Sequence, residues 1–447
     1  MGKACIGQQP VTMTDTANPL DAWTAGKLGL AGPTFRRADL HDHQLAALRA
    51  SVAWAQQHSP FYRRHLAGID ANELRRIADL QRLPFTTTDD LRRHDPPLLA
   101  VSQSAISHVV SLETSGTSGP PKRLYFTPEE QAATRDFFAH GMRLPARPGD
   151  RVAILFPGAR PGSVGDLLAA ALEDLGATPI LAGWPADPAA TAALLRRERP
   201  DVVAGAPVAT LAVARHSAAG GQAPLAVRSV LLSADHVAGS LRRSLAELWG
   251  CEIFEHYGMT EMGLGGGVDC AAHAGYHLRE HELLVEIVDP ASGAPVLPGQ
   301  PGEVVFTTLQ RRGLPLLRYR TGDLSRLLPG TCACGSPLAR LARLSGRLGA
   351  GVDLGDGRRL TIADLDEALF ALPGIIDFTA TFQSGPPPAL HLAVSYLAGR
   401  GSPTAIRAAL ADSPALPSGL PLTLTLSSAG RLHGRSGKRT ILEAARP

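Results

Sequence analysis

Lysine is scarce in this chain. Of 44 lysine and arginine residues only four are lysine: Lys3, Lys27, Lys122 and Lys438. Arginine serves wherever a positive surface charge will do, so a lysine kept in that background points to a task that a compact ammonium does better than a planar fork. Cysteine is sparse too. The five present (Cys5, Cys251, Cys270, Cys332 and Cys334) are odd in number and scattered over 447 residues, which argues against a disulfide framework. Cys332 and Cys334 form a C-x-C pair, too close for an easy mutual disulfide and better suited to a metal. An excess of one charge is also lacking. A formal net charge of +3 gives no reason to expect nucleic acid or another polyanion as partner. No run approaches the ~20 apolar residues that span a bilayer. The N-terminus has no apolar core behind a basic start, and Ile6 stands where a lipidation signal needs Ser or Thr. We expect no membrane partner and a cytoplasmic location.

What is present reads as an ordinary globular chain. Hydrophobic residues make up 44% and charged residues 19%, and the length suffices for two or three domains. Residues 1–100 are helical and irregular, with helical spacing in HDHQLAALRASVAWAQQ and ANELRRIADL. Between 150 and 255, the apolar runs RVAILF, TPILAG, DVVAG and RSVLLS alternate with GDLLAAALEDLG, AATAALLRRE and PVATLAVARHS. That rhythm predicts a parallel sheet covered by helices, with ligands gathered at the carboxyl ends of its strands. From 283 to 328, LLVEIVD, GEVVFTTL and LPLLRYR are closely spaced strand candidates that predict a small β subdomain. After about residue 346 the order helix, two strands, helix, strand predicts a compact α+β domain.

Three segments carry chemistry. Thr114-Ser115-Gly116-Thr117-Ser118-Gly119, followed by Lys122, is a hydroxyl-and-glycine loop ending in lysine. Its glycines let the backbone approach phosphates, its N–H groups and hydroxyls donate to them, and the lysine adds charge. It is not the usual P-loop spacing. His256-Tyr257-Gly258-Met259-Thr260-Glu261 follows an apolar strand, so one turn can present an aromatic face, a hydroxyl and a carboxylate that holds Mg²⁺. Arg320-Thr321-Gly322-Asp323 follows the strand candidate LPLLRY and sets a carboxylate just past a turn, suited to accept from both ribose hydroxyls.

In this order the three segments resemble the adenylate-forming superfamily of acyl-CoA synthetases, aryl-acid ligases and peptide adenylation domains. SPFYRRHL and LPFTTTDDLRR make the phenylacetate–CoA ligase branch the nearest likeness, over nearly the whole chain from about residue 55. The resemblance implies a large N-terminal α/β domain with a β subdomain (1–345) and a small mobile C-terminal α+β domain (346–447). It also implies ATP/AMP chemistry: a carboxylic acid, aromatic or similarly small, becomes acyl-AMP, which a thiol captures, with coenzyme A the first choice. By the resemblance, Thr114 to Gly119 and Lys122 cover the pyrophosphate end of ATP. Ser233-Ala234-Asp235 flanks adenine, Tyr257 stacks on it, and His256 and Gly258 lie alongside, His256 as a wall of the acid pocket. Thr260 touches the α-phosphate, Glu261 binds Mg²⁺ and Asp323 the ribose. Gly346-Arg347 opens the interdomain hinge, where Gly349-Ala350 replaces the family's acidic pair. Lys438 resembles the C-terminal lysine of adenylation. Capture by an amine or a carrier protein is the alternative within the superfamily, and a non-catalytic nucleotide- and zinc-binding scaffold is the alternative outside it. The oligomeric state stays open, a homodimer included.

A second constellation is metal-like. Cys270 and His277, with the later Cys332 and Cys334, supply the three thiolates and one imidazole of a closed tetrahedral Zn²⁺ site. These ligands flank the β subdomain in sequence, so a zinc is expected to tie its ends together. His273 competes as the fourth ligand.

Overall fold

The computed structural model describes residues 18–444 apart from 94, 96, 113–120, 222, 356, 386, 418, 429 and 434–438. The loop Thr114–Gly119 and Lys438 therefore lie outside the described residues.

The expected parallel sheet forms from the strands Thr178–Leu181, Arg151–Leu155, Val202–Gly205, Ser229–Leu232 and Glu252–Tyr257, side by side in that order. Strands Val202–Gly205 and Ser229–Leu232 are buried at every residue, the state that unbroken apolar runs reach when helices cover both faces. The covering helices are Val164–Leu175, Pro188–Glu198, Pro207–Ser217 and Gly239–Trp249. Gly176 ends the first of them in the left-handed conformation at φ 84°, where a side chain would be strained.

The sheet does not stop at Tyr257. Past the turn 258–266, Gly267–Val268 returns antiparallel beside His256 and Tyr257, and Tyr276–Leu278, Arg340–Leu341 and Leu327–Leu328 follow outward. A separate antiparallel sheet runs in the order Leu283–Val288, Gly302–Thr308, Tyr319–Ser325, Gly346–Arg347, which is the β subdomain. Helix Arg37–His58 lies against it: Leu48, Val52 and Ala55 share a buried cluster with Tyr62, Leu309 and Leu317.

The C-terminal segment places Ile375–Gln383 between Ala389–Tyr396 and Ile441–Glu443, with Leu422–Ser427 on the far edge. Helices Ile362–Leu369 and Pro403–Ala411 cover it. It packs on the large sheet's helices, and Leu365, Phe370 and Phe378 join one apolar cluster with Leu245 and Trp249. The buried Arg215 guanidinium donates to Phe370 O (2.6 Å) and to Ile375 O, capping the end of the first C-terminal helix. No helix among the described residues is long and apolar enough to cross a membrane.

Two local expectations are corrected. The stretch 71–80 is not one helix but two 3₁₀ turns, Ala71–Glu73 and Ile77–Arg82. The Asp79 carboxylate accepts from the N–H groups of Arg75 and Arg76 at 2.8 and 3.1 Å, which competes with helical bonding there. In LPLLRYR the strand begins only at Tyr319 and runs on to Ser325, so residues 320–323 lie within it and not after it. Before it, Leu317 N donates to Tyr62 Oη, and Arg318 adopts a φ of 46°, outside any strand.

Candidate functional site

The site lies where the parallel strands end. Strand Glu252–Tyr257 runs into the 3₁₀ turn Thr260–Met262, and the backbone is tight around it. A Cβ on Gly258 would lie 2.3 Å from Leu264 O, so only glycine fits that position. Gly263 and Leu264 both take positive φ, reversing the chain so that the antiparallel extension can begin.

Segments far apart in sequence meet here. Tyr257 Oη donates to Asp323 Oδ2 at 3.1 Å, joining the HYGMTE and RTGD segments. Burial and the neighbouring Asp323 carboxylate hold the Tyr257 phenol well above its ordinary pKa, so it remains a donor. Asp323 is itself buried, takes its own N–H bond to Thr321 Oγ1 (3.0 Å), and has Arg347 Nε 3.5 Å from Oδ1. Arg347 also donates to Thr321 O at 3.1 Å. An open cleft of about 380 Å³ adjoins this group, lined by Thr87, Thr88, Arg320, Gly322 and Arg347.

On the other side of the turn, the Lys122 ammonium makes a buried ion pair with Glu261 Oε1. Tyr319 Oη donates to the same oxygen at 3.3 Å and lies 2.9 Å from Thr88 Oγ1. The half-buried Arg311 side chain donates to Glu261 O (2.6 Å) and Tyr125 O (3.1 Å), fixing the turn to the strand Lys122–Phe126. Of these supports, Thr88 and Tyr319 fall inside segments already singled out by the sequence, LPFTTTDDLRR and the approach to RTGD. Arg311 carries no signal of its own, being one arginine among many.

Ser233 Oγ lies 2.8 Å from His256 Nδ1, so the Ser233-Ala234-Asp235 loop joins the site through the histidine. Ala234 has a φ of 78°. The Asp235 carboxylate accepts from His236 N at 2.9 Å. His256 Nε2 is buried with no hydrogen-bond partner among the described residues, and burial pushes the imidazole pKa down to about 4. The ring is neutral at physiological pH, packed beside Phe137 and Phe138.

The metal-like residues also converge. The ligand atoms of Cys270, His277, Cys332 and Cys334 all lie within 4.8 Å of one another. Cys270 Sγ is 3.7 Å from Cys332 Sγ, and Cys334 Sγ is 3.4 Å from His277 Nε2. Sulfur atoms ~2.3 Å from a tetrahedral zinc would stand at about that mutual separation, so the donor set fits the ion. His273 is turned elsewhere: Nδ1 lies 2.8 Å from Asp269 Oδ2 and Nε2 3.1 Å from Glu252 Oε1. The cluster sits on the antiparallel extension of the main sheet. It joins the segment before the four-stranded subdomain (Cys270, His277) to the segment after it (Cys332, Cys334), as expected, although the subdomain itself is a separate sheet.

Residues 43–310 match the family model described as AMP-binding enzyme. The chain is similar to a phenylacetate-coenzyme A ligase of Thermus thermophilus, 33% identical over 326 residues, covering 70% of this chain and 72% of that one. It is similar to a phenylacetate-coenzyme A ligase of Pseudomonas putida, 33% identical over 318 residues, covering 69% and 70%. Among solved structures, a 2-hydroxyisobutyryl-CoA ligase in a postadenylation state superposes with a TM-score of 0.75 at 22% identity, over 90% of this chain and 89% of that one.

Proposed function

The chain belongs to the AMP-binding enzyme family, in its phenylacetate–coenzyme A ligase branch, and from that membership and the site's geometry we infer that it joins a carboxylic acid to coenzyme A in two ATP-dependent steps. Carboxylate and ATP give acyl-AMP and pyrophosphate; the thiol of coenzyme A then displaces AMP. The observation that carries this reading is the meeting of HYGMTE, RTGD and Lys122 around one turn at the carboxyl end of the parallel strands. Ligands of such sheets collect there.

Within that frame the residues divide the work. Tyr257 offers its ring to adenine, with Ser233, Ala234 and Asp235 at the flank. Asp323, already oriented by Tyr257 and Arg347, receives the ribose hydroxyls. Thr260 meets the α-phosphate. Glu261 would hold Mg²⁺, which supplies charge neutralisation of the phosphates, while Lys122 would turn from the carboxylate to a phosphate oxygen. Thr114 to Gly119 would donate to the pyrophosphate end. Lys438 would bridge the attacking carboxylate and the α-phosphate, two negative groups that must come within bonding distance. The acid is aromatic or similarly small, with neutral His256 as one wall of its pocket. Cys270, His277, Cys332 and Cys334 would hold a structural zinc. Four protein ligands leave no open position on it for substrate, so it serves order rather than chemistry.

Acid-dependent exchange of labelled pyrophosphate into ATP, over a panel of aryl and small aliphatic acids, tests the reading. Exchange with at least one acid is expected, and Glu261→Ala should abolish it. Wild-type protein that binds ATP yet exchanges with no acid in a broad panel would overturn it.

A further inference from the structure

Strand Glu252–Tyr257 carries a second buried carboxylate that the chemistry above leaves unused. Glu255 is 1% exposed. Its oxygens accept from Arg242 Nη1 (2.6 Å), from Arg343 Nε (3.0 Å to Oε1, 2.9 Å to Oε2) and from Tyr276 Oη (3.2 Å). Each of these three donors comes from a different part of the molecule.

Tyr276 reaches the nucleotide side. Residues two apart on a strand point to the same face, so Glu255 and Tyr257 share one. Tyr276 spans both: its hydroxyl is on Glu255 and its ring is stacked on Tyr257, centroids 6.0 Å apart and planes 27° apart. Tyr257 in turn holds Asp323. Arg242 reaches the C-terminal segment. It lies on helix Gly239–Trp249, whose neighbouring residues dock that segment. Ser240 N donates to Glu367 Oε2 (3.0 Å), Arg243 pairs with Glu367 Oε1 (3.0 Å), and Ser244 Oγ donates to Phe370 O (3.2 Å). Arg343 lies just ahead of Gly346-Arg347, and its Nη2 is 3.8 Å from Asp269 Oδ2, beside the Cys270 ligand.

We propose that Glu255 is a positioning residue: through Tyr276 it sets the ring of Tyr257 for the nucleotide, and through Arg242 and Arg343 it ties that setting to the docking helix and to the approach to Arg347. Stability alone does not call for such a group. A buried carboxylate with two guanidinium partners is often no more stable than apolar side chains of similar volume. Its hydrogen bonds are directional, however, and that fixes the plane of Tyr276 and hence of its stacked neighbour.

The proposal rests on the reading that Tyr257 faces adenine, and the test separates the two. Glu255→Gln keeps the shape and removes the charge. Tyr276→Phe keeps the ring and removes only the hydrogen bond, so it is the milder variant should the first fold poorly. Pyrophosphate exchange and equilibrium binding of AMP are measured for both, with Tyr257→Ala as reference. We expect the KM for ATP and the Kd for AMP to rise about tenfold in Glu255→Gln and about threefold in Tyr276→Phe. The kcat should stay within about twofold of wild type and the KM for the acid should not move, a split that general loosening of the fold would not produce. If Tyr257→Ala raises the nucleotide constants and neither of the other variants does, Glu255 serves packing only and the proposal is overturned. A parallel fall of kcat in Tyr276→Phe overturns it as well. If Tyr257→Ala leaves the nucleotide constants unchanged, the placement of adenine fails, and the proposal fails with it.

Discussion

The buried pair of Lys122 and Glu261 gives the sharpest test of the site's internal electrostatics. Their side chains are 8% and 5% exposed, so neither charge can fall back on water if the other is removed. Taking away one partner of such a pair typically costs ~3–5 kcal/mol, because a charge is left buried and uncompensated. Lys122→Met should therefore destabilise the protein by about 3 kcal/mol, with Glu261 the charge left behind. Glu261→Gln should cost a comparable amount, since the amide can still accept from Tyr319 but cannot neutralise the ammonium. Replacing both removes the charges together, and buried pairs exchanged for neutral groups are often close to neutral in stability. The double variant should thus fall at least ~2 kcal/mol short of the summed single effects, well beyond the ~0.5 kcal/mol scatter of independent sites. Urea unfolding of the four proteins, followed by tryptophan fluorescence and compared at constant slope, measures the cycle. Additive losses, or single variants as stable as wild type, would refute the pairing and with it the idea that Lys122 and Glu261 share one charge environment.

Three further outcomes are expected. Untagged, chelator-washed protein should contain about one zinc per chain; His277→Ala should lose it and His273→Ala keep it, and a zinc-free sample that is fully folded would rule the site out. His256, whose folded pKa lies near 4 against about 6.5 unfolded, takes up its proton first in the unfolded chain as pH falls. Its contribution to stability is therefore intact above about pH 6.5 and is lost progressively towards pH 4, and wild type should lose about 2 kcal/mol more than His256→Asn between pH 7 and 5; equal losses would show that the ring is not held neutral. Lys438→Ala should slow acyl-AMP formation by ~10²-fold while capture of a preformed acyl-adenylate by coenzyme A is much less affected, and loss in both half-reactions alike would count against a role confined to adenylation.

Local pattern made much of this protein legible in its sequence. The alternation of apolar runs and helical stretches between 150 and 255 is a matter of residue spacing alone, and all four strands and three helices expected there are found. The three thiols and an imidazole were readable because zinc demands donor types that few other roles require. The stretch 71–80 misled because its apolar spacing is helical, while the choice of a carboxylate to cap Arg75 and Arg76 is not a periodic property.

What only the tertiary structure decided is who partners whom. Lys122 and Glu261 stand 139 positions apart, and Tyr257 and Asp323 stand 66 apart. No spacing rule joins residues at such distances; the order of strands in the sheets does. The same holds for the imidazole that joins the three thiols. His273 and His277 are equivalent donors in sequence, but His273 takes a φ of 49° and turns to Asp269, while His277 lies on the strand Tyr276–Leu278, paired with Arg340, and points at the sulfurs. Residue type told which chemistry the chain can carry, because ligand and charge preferences belong to single side chains. The assembly of those side chains into a site, and the Glu255 hub behind it, depended on burial and strand order, which are properties of the whole fold.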